Sequence, residues 1–428
     1  MGKQWLKPEC LKPDDRLDIW NVDYTAHPML DPAFPDQPSR LRRFIRMAYE
    51  RIIDDDRAYQ HEAARLLRPP HDWSGTTEGS AADVQQISAY LHEADIYLAS
   101  TIELLPPRSQ AEVRPNPEVS RNQDLRDLLD LVMRSDSPRT RFEAQRKLYL
   151  ARLLVDIDHS RHIQEGPRHK AYFEELLKEA AWRHTRQVNP LTIGFHMDPD
   201  GETIHYTSRP TEKDQLWRFQ SIFMEKGTGD QKISLDILYY TCRFKRSVVP
   251  ISFEIVDGQH QVVEKERWEA MRQQSSGSIL SKMIRKGINN ADLIQDLIGA
   301  MFIVHDEDGL NDLLQLLDGS IGNPFGWRNV TDTFARDDDR NSLDQHSGRG
   351  YKVYKGDVDI LAPTQAAGDP PYRFTVEIQI YTLEGYLRTV CGSHEASHQA
   401  LKLRQFLYGL APMLFPRAIY GTAWLQLN

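Results

Sequence analysis

Apolar positions recur with two different periods along this chain, and the change falls near residue 189. Before it the spacing is helical. Leu41, Phe44, Ile45, Ala48 and Ile52 form one stripe behind Ser39, a candidate N-cap, in a segment running to about residue 67. Val84, Ile87, Leu91 and Ala94 repeat the stripe behind Ser80, and Pro106-Pro107 closes that helix. A polar linker over about 107–121 leads to helical stretches near 122–134, 138–158 and 168–184, the second opened by Ser137-Pro138. After 189 the text turns to strands. "LTIGFHMDPDGETIHYTS" predicts a hairpin turning at Asp200-Gly201, and a short helix is expected after Thr211. "VVPISFEIVDGQHQVVEK" predicts a second hairpin, turning at Asp257-Gly258. From about 265 the order reads helix, strand, helix, strands and a final helix. In "YRFTVEIQIYTLEG" (372–385), Phe374, Val376, Ile378 and Ile380 alternate with Thr375, Glu377, Gln379 and Tyr381. That is a strand with one apolar and one polar face.

The fold class expected from this pattern is α+β. An irregular Pro- and Asp-rich arm (1–38) precedes a helical domain (39–188), read by default as regulatory. A hairpin-containing connecting region (189–261) leads to a mixed-sheet domain with flanking helices (262–428).

Composition narrows the function class. A chain of 428 residues suggests two or three domains, and 40% apolar with 27% charged residues excludes wholesale disorder. A net charge of −9 disfavours general polyanion binding and leaves room for a local basic site. The three cysteines are scattered and form no metal spacing, which suits a reducing compartment. "MGKQWLKPEC" holds no signal-peptide core and no run reaches membrane-spanning length. The expectation is a cytoplasmic protein with no membrane partner.

Four pieces of the C-terminal half carry chemistry. In "MRQQSSGSILSKMIRKG", small residues open a helix that turns Ile279, Met283 and Ile284 inward. Ser278 stands at its start, with Lys282 and Arg285 about a turn on. Free N–H groups beside cations suit a polyphosphate, although a capped helix with a solvated basic face would look the same. In "ADLIQDLIGAMFIVHDED", Leu297 to Val304 read as a buried strand with Asp296 at its start; capping is the commoner use of a lone Asp there. In "HSGRGYKVYKGDVDIL", Gly348 and Gly350 flank Arg349 before Tyr351, a loop that backbone and an aromatic ring can offer to a base. The fourth is the strand with Glu377, Gln379 and Tyr381 on its polar face.

In order and approximate separation these pieces resemble the synthetase domain of the RelA/SpoT-type alarmone synthetases, over roughly residues 262–400. The matching residues are Arg272, Ser278-Ile279, Lys282, Asp296 with Gly299, Gly350-Tyr351, and "EIQIYT" at 377–382. The resemblance implies a nucleotidyltransferase-like mixed sheet. It implies Mg²⁺-dependent transfer of pyrophosphate from ATP to the 3′-hydroxyl of a nucleotide: GDP, GTP or an adenosine nucleotide. On that reading Asp296 and Glu377 are catalytic and hold the metal. Arg272, Ser278, Lys282 and Arg285 bind ATP, while Tyr351, Lys355 and Gln379 face the acceptor. Two carboxylates plus phosphate oxygens and waters suffice for Mg²⁺.

The chain departs from the family pattern at five positions. Gln274 stands where the family has Lys. Met301 and Tyr381 stand where it has Arg, and Val353 and Lys355 where it has Ser and His. The departures keep two alternatives open. One is a toxin-type relative acting on the tRNA 3′ end, with Arg243, Lys245, Arg246, Arg285 and Lys286 against the tRNA backbone. The other is a degenerate nucleotide sensor whose helical half recruits a protein partner or a second copy. The family's metal-hydrolase pattern is absent: "DIDHSRH" (156–162) reads as a polar helix end, and "HDED" (305–308) as a strand-end loop.

Overall fold

The structure, a computed structural model, describes residues 50–68, 78–198, 203–227, 232–244, 277–288, 290–318, 321, 326–334, 352–362, 372–390, 401, 404–422 and 424. It is an α+β molecule: a helical N-terminal region followed by a mixed eight-stranded sheet.

The helices begin where short polar side chains can cap them. The stripe expected to run to about residue 67 breaks at Ile53–Asp55, and the Asp55 carboxylate accepts from the amides of Arg57 and Ala58 to start α1 (Asp56–Leu66). Ser80 caps α2 (Ala81–Ile102) in a reciprocal capping box with Asp83. The stretch expected as a polar linker folds into two short helices, Pro107–Val113 and Pro117–Ser120. Asp124 caps α3 (Leu125–Arg134), and Ser137 caps α4 (Pro138–His159), whose first residue is proline. A single turn (Arg161–Gln164) separates α4 from α5 (Gly166–Ala180). Residues 277–286 form α6, which buries Ile279, Leu280, Met283 and Ile284.

The strands are β1 (Thr185–Met197), β2 (Ile204–Thr207), β3 (Gln215–Lys226), β4 (Ile233–Phe244), β5 (Ile298–Val304), β6 (Trp327–Asp332), β7 (Tyr354–Leu361) and β8 (Arg373–Thr382). They lie in the order β2-β1-β3-β4-β5-β8-β7-β6, with β5 and β8 parallel and the other neighbours antiparallel. Residues expected as a connecting region thus supply four strands of the same sheet. The expected helix after Thr211 is a turn running into β3. The apolar and aromatic residues Trp217, Phe219 and Ile222 bury more on a pleat than on a lone helical turn. The turn at Asp200-Gly201 and the hairpin expected at 248–265 lie outside the described residues, although β1 and β2 pair as the first hairpin requires. Pro190 is tolerated inside β1 because β2 reaches only Gly194–Met197, so at Pro190 only β3 flanks the strand.

One face of the sheet carries the main core. Val376, Ile378 and Ile380 of β8 and Ala300, Phe302 and Val304 of β5 pack there with α6 and the N-terminal helices. Complete burial of each large side chain contributes about 1.5–3 kcal/mol. The helical region docks on this face through specific contacts. His169 of α5 stacks on Phe374 at 4.4 Å, and Trp182 meets Tyr240 edge-on at 5.0 Å. The Asp156 carboxylate accepts the Ala291 amide at 2.9 Å. The Tyr97 hydroxyl bonds to Ser281 Oγ at 2.8 Å, on the helix that carries Lys282. The second face carries a smaller cluster of Trp217, Leu238, Ile303, Val353 and Tyr381, covered by Leu383, Tyr386 and Leu387 of α8 (Leu383–Val390). Val304 is followed by α7 (Glu307–Asp318), whose first turn bonds to Asp306: the Gly309 amide donates to its Oδ1. "HDED" is therefore a strand end running into a capped helix.

Candidate active site on the charged face of the sheet

Strand register decides which side chains stand abreast. Arg243 of β4 is opposite Gly299 of β5, Gly299 is opposite Glu377 of β8, Glu377 is opposite Asp357 of β7, and Asp357 is opposite Arg328 of β6. Paired residues point to one face, so these five make a row across five strands. A second row follows: Thr241, Met301, Gln379, Lys355 and Thr331. A third is apolar, with Tyr239, Ile303 and Tyr381, and belongs to the cluster under α8. This face therefore grades from charged to greasy along the strands.

Gly299 sits in a gap in the charged row. A methyl group there would meet nothing nearer than the Glu377 carbonyl oxygen at 4.0 Å. The gap spans two strand spacings, about 9–10 Å, between a guanidinium and a carboxylate. Glu377 is 6% exposed. Its carboxylate is held by Lys355 Nζ at 2.7 Å and by the Gln379 side-chain amide, which donates at 2.6 Å. Tyr381 in turn donates its hydroxyl to Gln379 Oε1 at 3.2 Å. Asp357 and Asp359 are also buried. Asp359 pairs with Arg328 and accepts from the Thr375 hydroxyl at 2.8 Å. Three buried carboxylates on neighbouring strands are tolerable only with such partners, because an unpaired buried charge costs several kcal/mol. Burial pushes the Arg243 guanidinium below its usual range; contact with the Tyr239 hydroxyl acts in the opposite direction.

The turn entering β5 joins this face to α6. Asn329 adopts a left-handed φ of 51°, tolerable for asparagine, where β6 shifts register. Its side-chain amide donates to Asp357 Oδ2 at 2.8 Å and to Gln295 Oε1 at 3.2 Å. The next residue, Asp296, forms an ion pair with Lys282 of α6. The structure thus brings Asp296 to Lys282, and Glu377 to Lys355 and Gln379, leaving the two carboxylates with separate lysines. Ser278 is exposed in the first turn of α6, and Arg285 lays its stem against Gly409, where an added methyl group would lie 2.6 Å from its Cδ. Arg272 and Tyr351 lie outside the described residues, as do Lys245 and Arg246.

Asp357, Asp359 and Arg328 are not among the candidate residues of the sequence, and Arg243, expected against a tRNA backbone, stands instead in the charged row of the sheet. Lys355, Asp357 and Asp359 alternate with buried Val358 and Ile360, and this period-two signal in "YKGDVDIL" marks the second charged strand. The basic cluster around Arg243 does not mark it for this site; its place in the row comes from pairing with a residue 56 positions away. Of the departures from the family pattern, Gln274 lies outside the described residues, Lys355 pairs with Glu377, and the other three are packed. Met301 packs against the second cluster, while Tyr381 and Val353 are buried within it. His159 Nδ1 donates to the Val155 carbonyl at 2.8 Å, the ordinary arrangement of a helix end. Among the described residues, the one group of three or more metal-ligating side chains within reach of a single ion is His196, Asp198 and His205, on the β1–β2 hairpin.

No family model and no curated protein matches this chain. Among solved structures it is similar to the small alarmone synthetase 1 from Bacillus subtilis bound to its product pppGpp, at 21% identity and a TM-score of 0.22, over 36% of this chain and 58% of that one. A second structure of that synthetase gives 21% identity and 0.22, over 41% and 72%. A GTP pyrophosphokinase family protein from Streptococcus pneumoniae gives 17% and 0.24, over 44% and 80%. The chain spans a little over half the length of the first of these. Among the described residues, no helix is long and apolar enough to cross a membrane.

Proposed function

We propose that the charged face carries out Mg²⁺-dependent transfer of a pyrophosphoryl group from ATP to the 3′-hydroxyl of a nucleotide. The observation that supports it is the row Arg243, Gly299, Glu377, Asp357, with Lys355 bonded to Glu377. Pyrophosphoryl transfer asks little covalent chemistry of a protein. It needs cations on the phosphates, hard oxygens for the metal and an aligned hydroxyl. The gap over Gly299 gives phosphates a place to lie between Arg243 and the carboxylate. Asp296 and Glu377 are hard oxygen donors, and their number suits an ion that keeps waters and phosphate oxygens as its remaining ligands. Bound there, Mg²⁺ would neutralise charge on the transferring phosphates.

In this reading the two lysines change partners. Lys282 and Lys355 neutralise Asp296 and Glu377 in the structure. When substrate and metal arrive, the ammonium groups are released to the phosphates, and the buried carboxylates are never left without a cation. Glu377, oriented by Gln379, also stands to accept the proton of the attacking hydroxyl. Arg243 takes over part of the charge neutralisation that Met301 and Tyr381 cannot provide. The N-terminal helices hold α6 through Tyr97 and Ser281, so they position the helix bearing Lys282 and are placed to regulate it.

The test is incubation of the full chain with ATP, Mg²⁺ and, in turn, GDP, GTP, ADP, ATP or tRNA. The expected result is AMP released in equal amount to an acceptor heavier by one pyrophosphoryl group, with loss of both in Glu377→Gln. Absence of AMP and of any modified acceptor, with protein whose folding is verified by circular dichroism, would overturn the reading. The identity of the modified acceptor separates nucleotide from tRNA.

A further inference from the structure

We propose that His196, Asp198 and His205 bind a divalent transition metal, zinc above all, which staples the β1–β2 hairpin at the edge of the sheet remote from the charged face. His196 and His205 are direct cross-strand partners, their rings stacked at 5.1 Å and 27°. One nitrogen from each ring and one oxygen of Asp198 lie within 4.8 Å of one another. Two imidazoles and a carboxylate are a donor set for zinc and its neighbours rather than for Mg²⁺, which prefers oxygen throughout.

A pair of surface histidines could gather by chance; the shell behind them argues otherwise. A carboxylate only accepts, so His196 Nδ1 must carry the hydrogen it gives to Asp214 Oδ1 at 2.7 Å. With Nδ1 committed to Asp214, Nε2 is the ring nitrogen left to face a metal. Asp214 is itself fixed: its side chain is 2% exposed and its Oδ2 accepts from the Thr211 amide at 2.6 Å and the Thr211 hydroxyl at 2.9 Å. This is the carboxylate–histidine relay that orients metal-bound imidazoles. The turn bearing Asp214 reaches His196 only because residue 194 is glycine. A methyl group there would lie 2.6 Å from Pro210 Cβ and 3.0 Å from Asp214 Cβ.

His205 Nε2 bonds to Asp198 Oδ2 at 3.0 Å. The metal takes the place of the hydrogen between them, and the ring's remaining proton moves to Nδ1. The donors are 47%, 38% and 52% exposed for His196, Asp198 and His205, so water can fill the fourth position. In the sheet order β1 stands four strands, about 19 Å, from β8 and two from β4, whose Arg243 ends the charged row, so the metal would touch none of the residues assigned to the transfer.

The experiment uses the full chain, stripped with a chelator and titrated with ZnCl₂ by calorimetry. One equivalent is expected, with at least a hundredfold loss of affinity in His205→Ala and in His196→Ala. Asp214→Ala, which touches no metal, should weaken binding about 10- to 100-fold. Zinc should raise the unfolding midpoint of the parent and leave that of His205→Ala unchanged. Co²⁺ added to the parent should give the intense visible bands of a four-coordinate nitrogen–oxygen site, a readout that needs no variant. Absence of stoichiometric binding, or binding indifferent to both histidine substitutions, would overturn the proposal. A weak octahedral Co²⁺ spectrum would do so as well.

Discussion

The two halves of the sheet place their polar groups differently. In β5 to β8 the carboxylates of the charged face are buried: Asp357, Asp359 and Glu377 are each below a tenth exposed, and the partly exposed Arg328 or Lys355 pairs with two of them. In β1 and β2 the histidines His196 and His205 are about half exposed, whereas half-exposed large apolar residues occur on both sides, Val188 and Tyr206 in β1 and β2 and Val330 and Leu361 in β6 and β7. Buried charges are costly, and a sheet can be stable without them. The half that accumulates them is therefore where the transfer chemistry is to be sought, with Arg243 of β4 at its border, while the other half supplies area and the edge that carries the histidine pair.

Disruptions of each half should differ accordingly. The largest effect is expected for Phe302→Ala, at the centre of β5, which should cost about 3–5 kcal/mol in urea unfolding because a fully buried ring leaves a cavity. A loss under 1 kcal/mol would mean that the two halves do not share one core. Next comes Glu377→Gln. Its pyrophosphoryl transfer should fall by about 10²–10³ or more, the scale of one lost electrostatic group in a preorganised site. Far-ultraviolet circular dichroism should stay unchanged; equal activity in parent and variant would remove Glu377 from the chemistry.

A pH effect follows in size. Burial pushes the His169 imidazole down to about 4, with the Glu165 charge opposing it. The unfolded chain takes up that proton first, near the ordinary value of about 6.5. Stability from this group is therefore whole above pH 6.5 and should fall by on the order of 3 kcal/mol as pH drops to 4. His169→Gln should flatten the slope of unfolding free energy in that window, and an unchanged slope would assign it to other groups. The smallest effect belongs to the exposed edge: Tyr206→Ser should alter unfolding free energy by no more than about 0.5 kcal/mol. A larger loss would show that β2 is as integrated as β8.

The same contrast explains what could be read from sequence. The capped helices at Ser80 and Ser137 were legible because capping and period are local. β8 was legible because its alternation is strict, and β5 because a strand covered on both faces reads as an unbroken apolar run. β3 and β4 were not, since long, twisted, partly exposed strands mix aromatic, charged and small residues without a clean period. Of the candidate site, Lys282, Asp296, Lys355, Glu377 and Gln379 came from ordered motifs. Asp357 is visible as an alternating charge in its own strand, and Arg243 as one of several basic residues, but only the register sets both beside Glu377. The five-residue row is a property of pairing between distant strands.

The hydrogen-bond ladder from β4 to β5, continuous from Tyr239–Ile303 to Phe244–Ile298, also bears on how the protein can be cut. A fragment comprising only the C-terminal motif region would bare the backbone amides of β5, an apolar strand from the middle of the sheet, as a template for other chains. Such fragments should precipitate or pair with one another rather than display a released activity. Regulation by the helical region is therefore better approached with point changes at Tyr97 or Ser281 than by deletion.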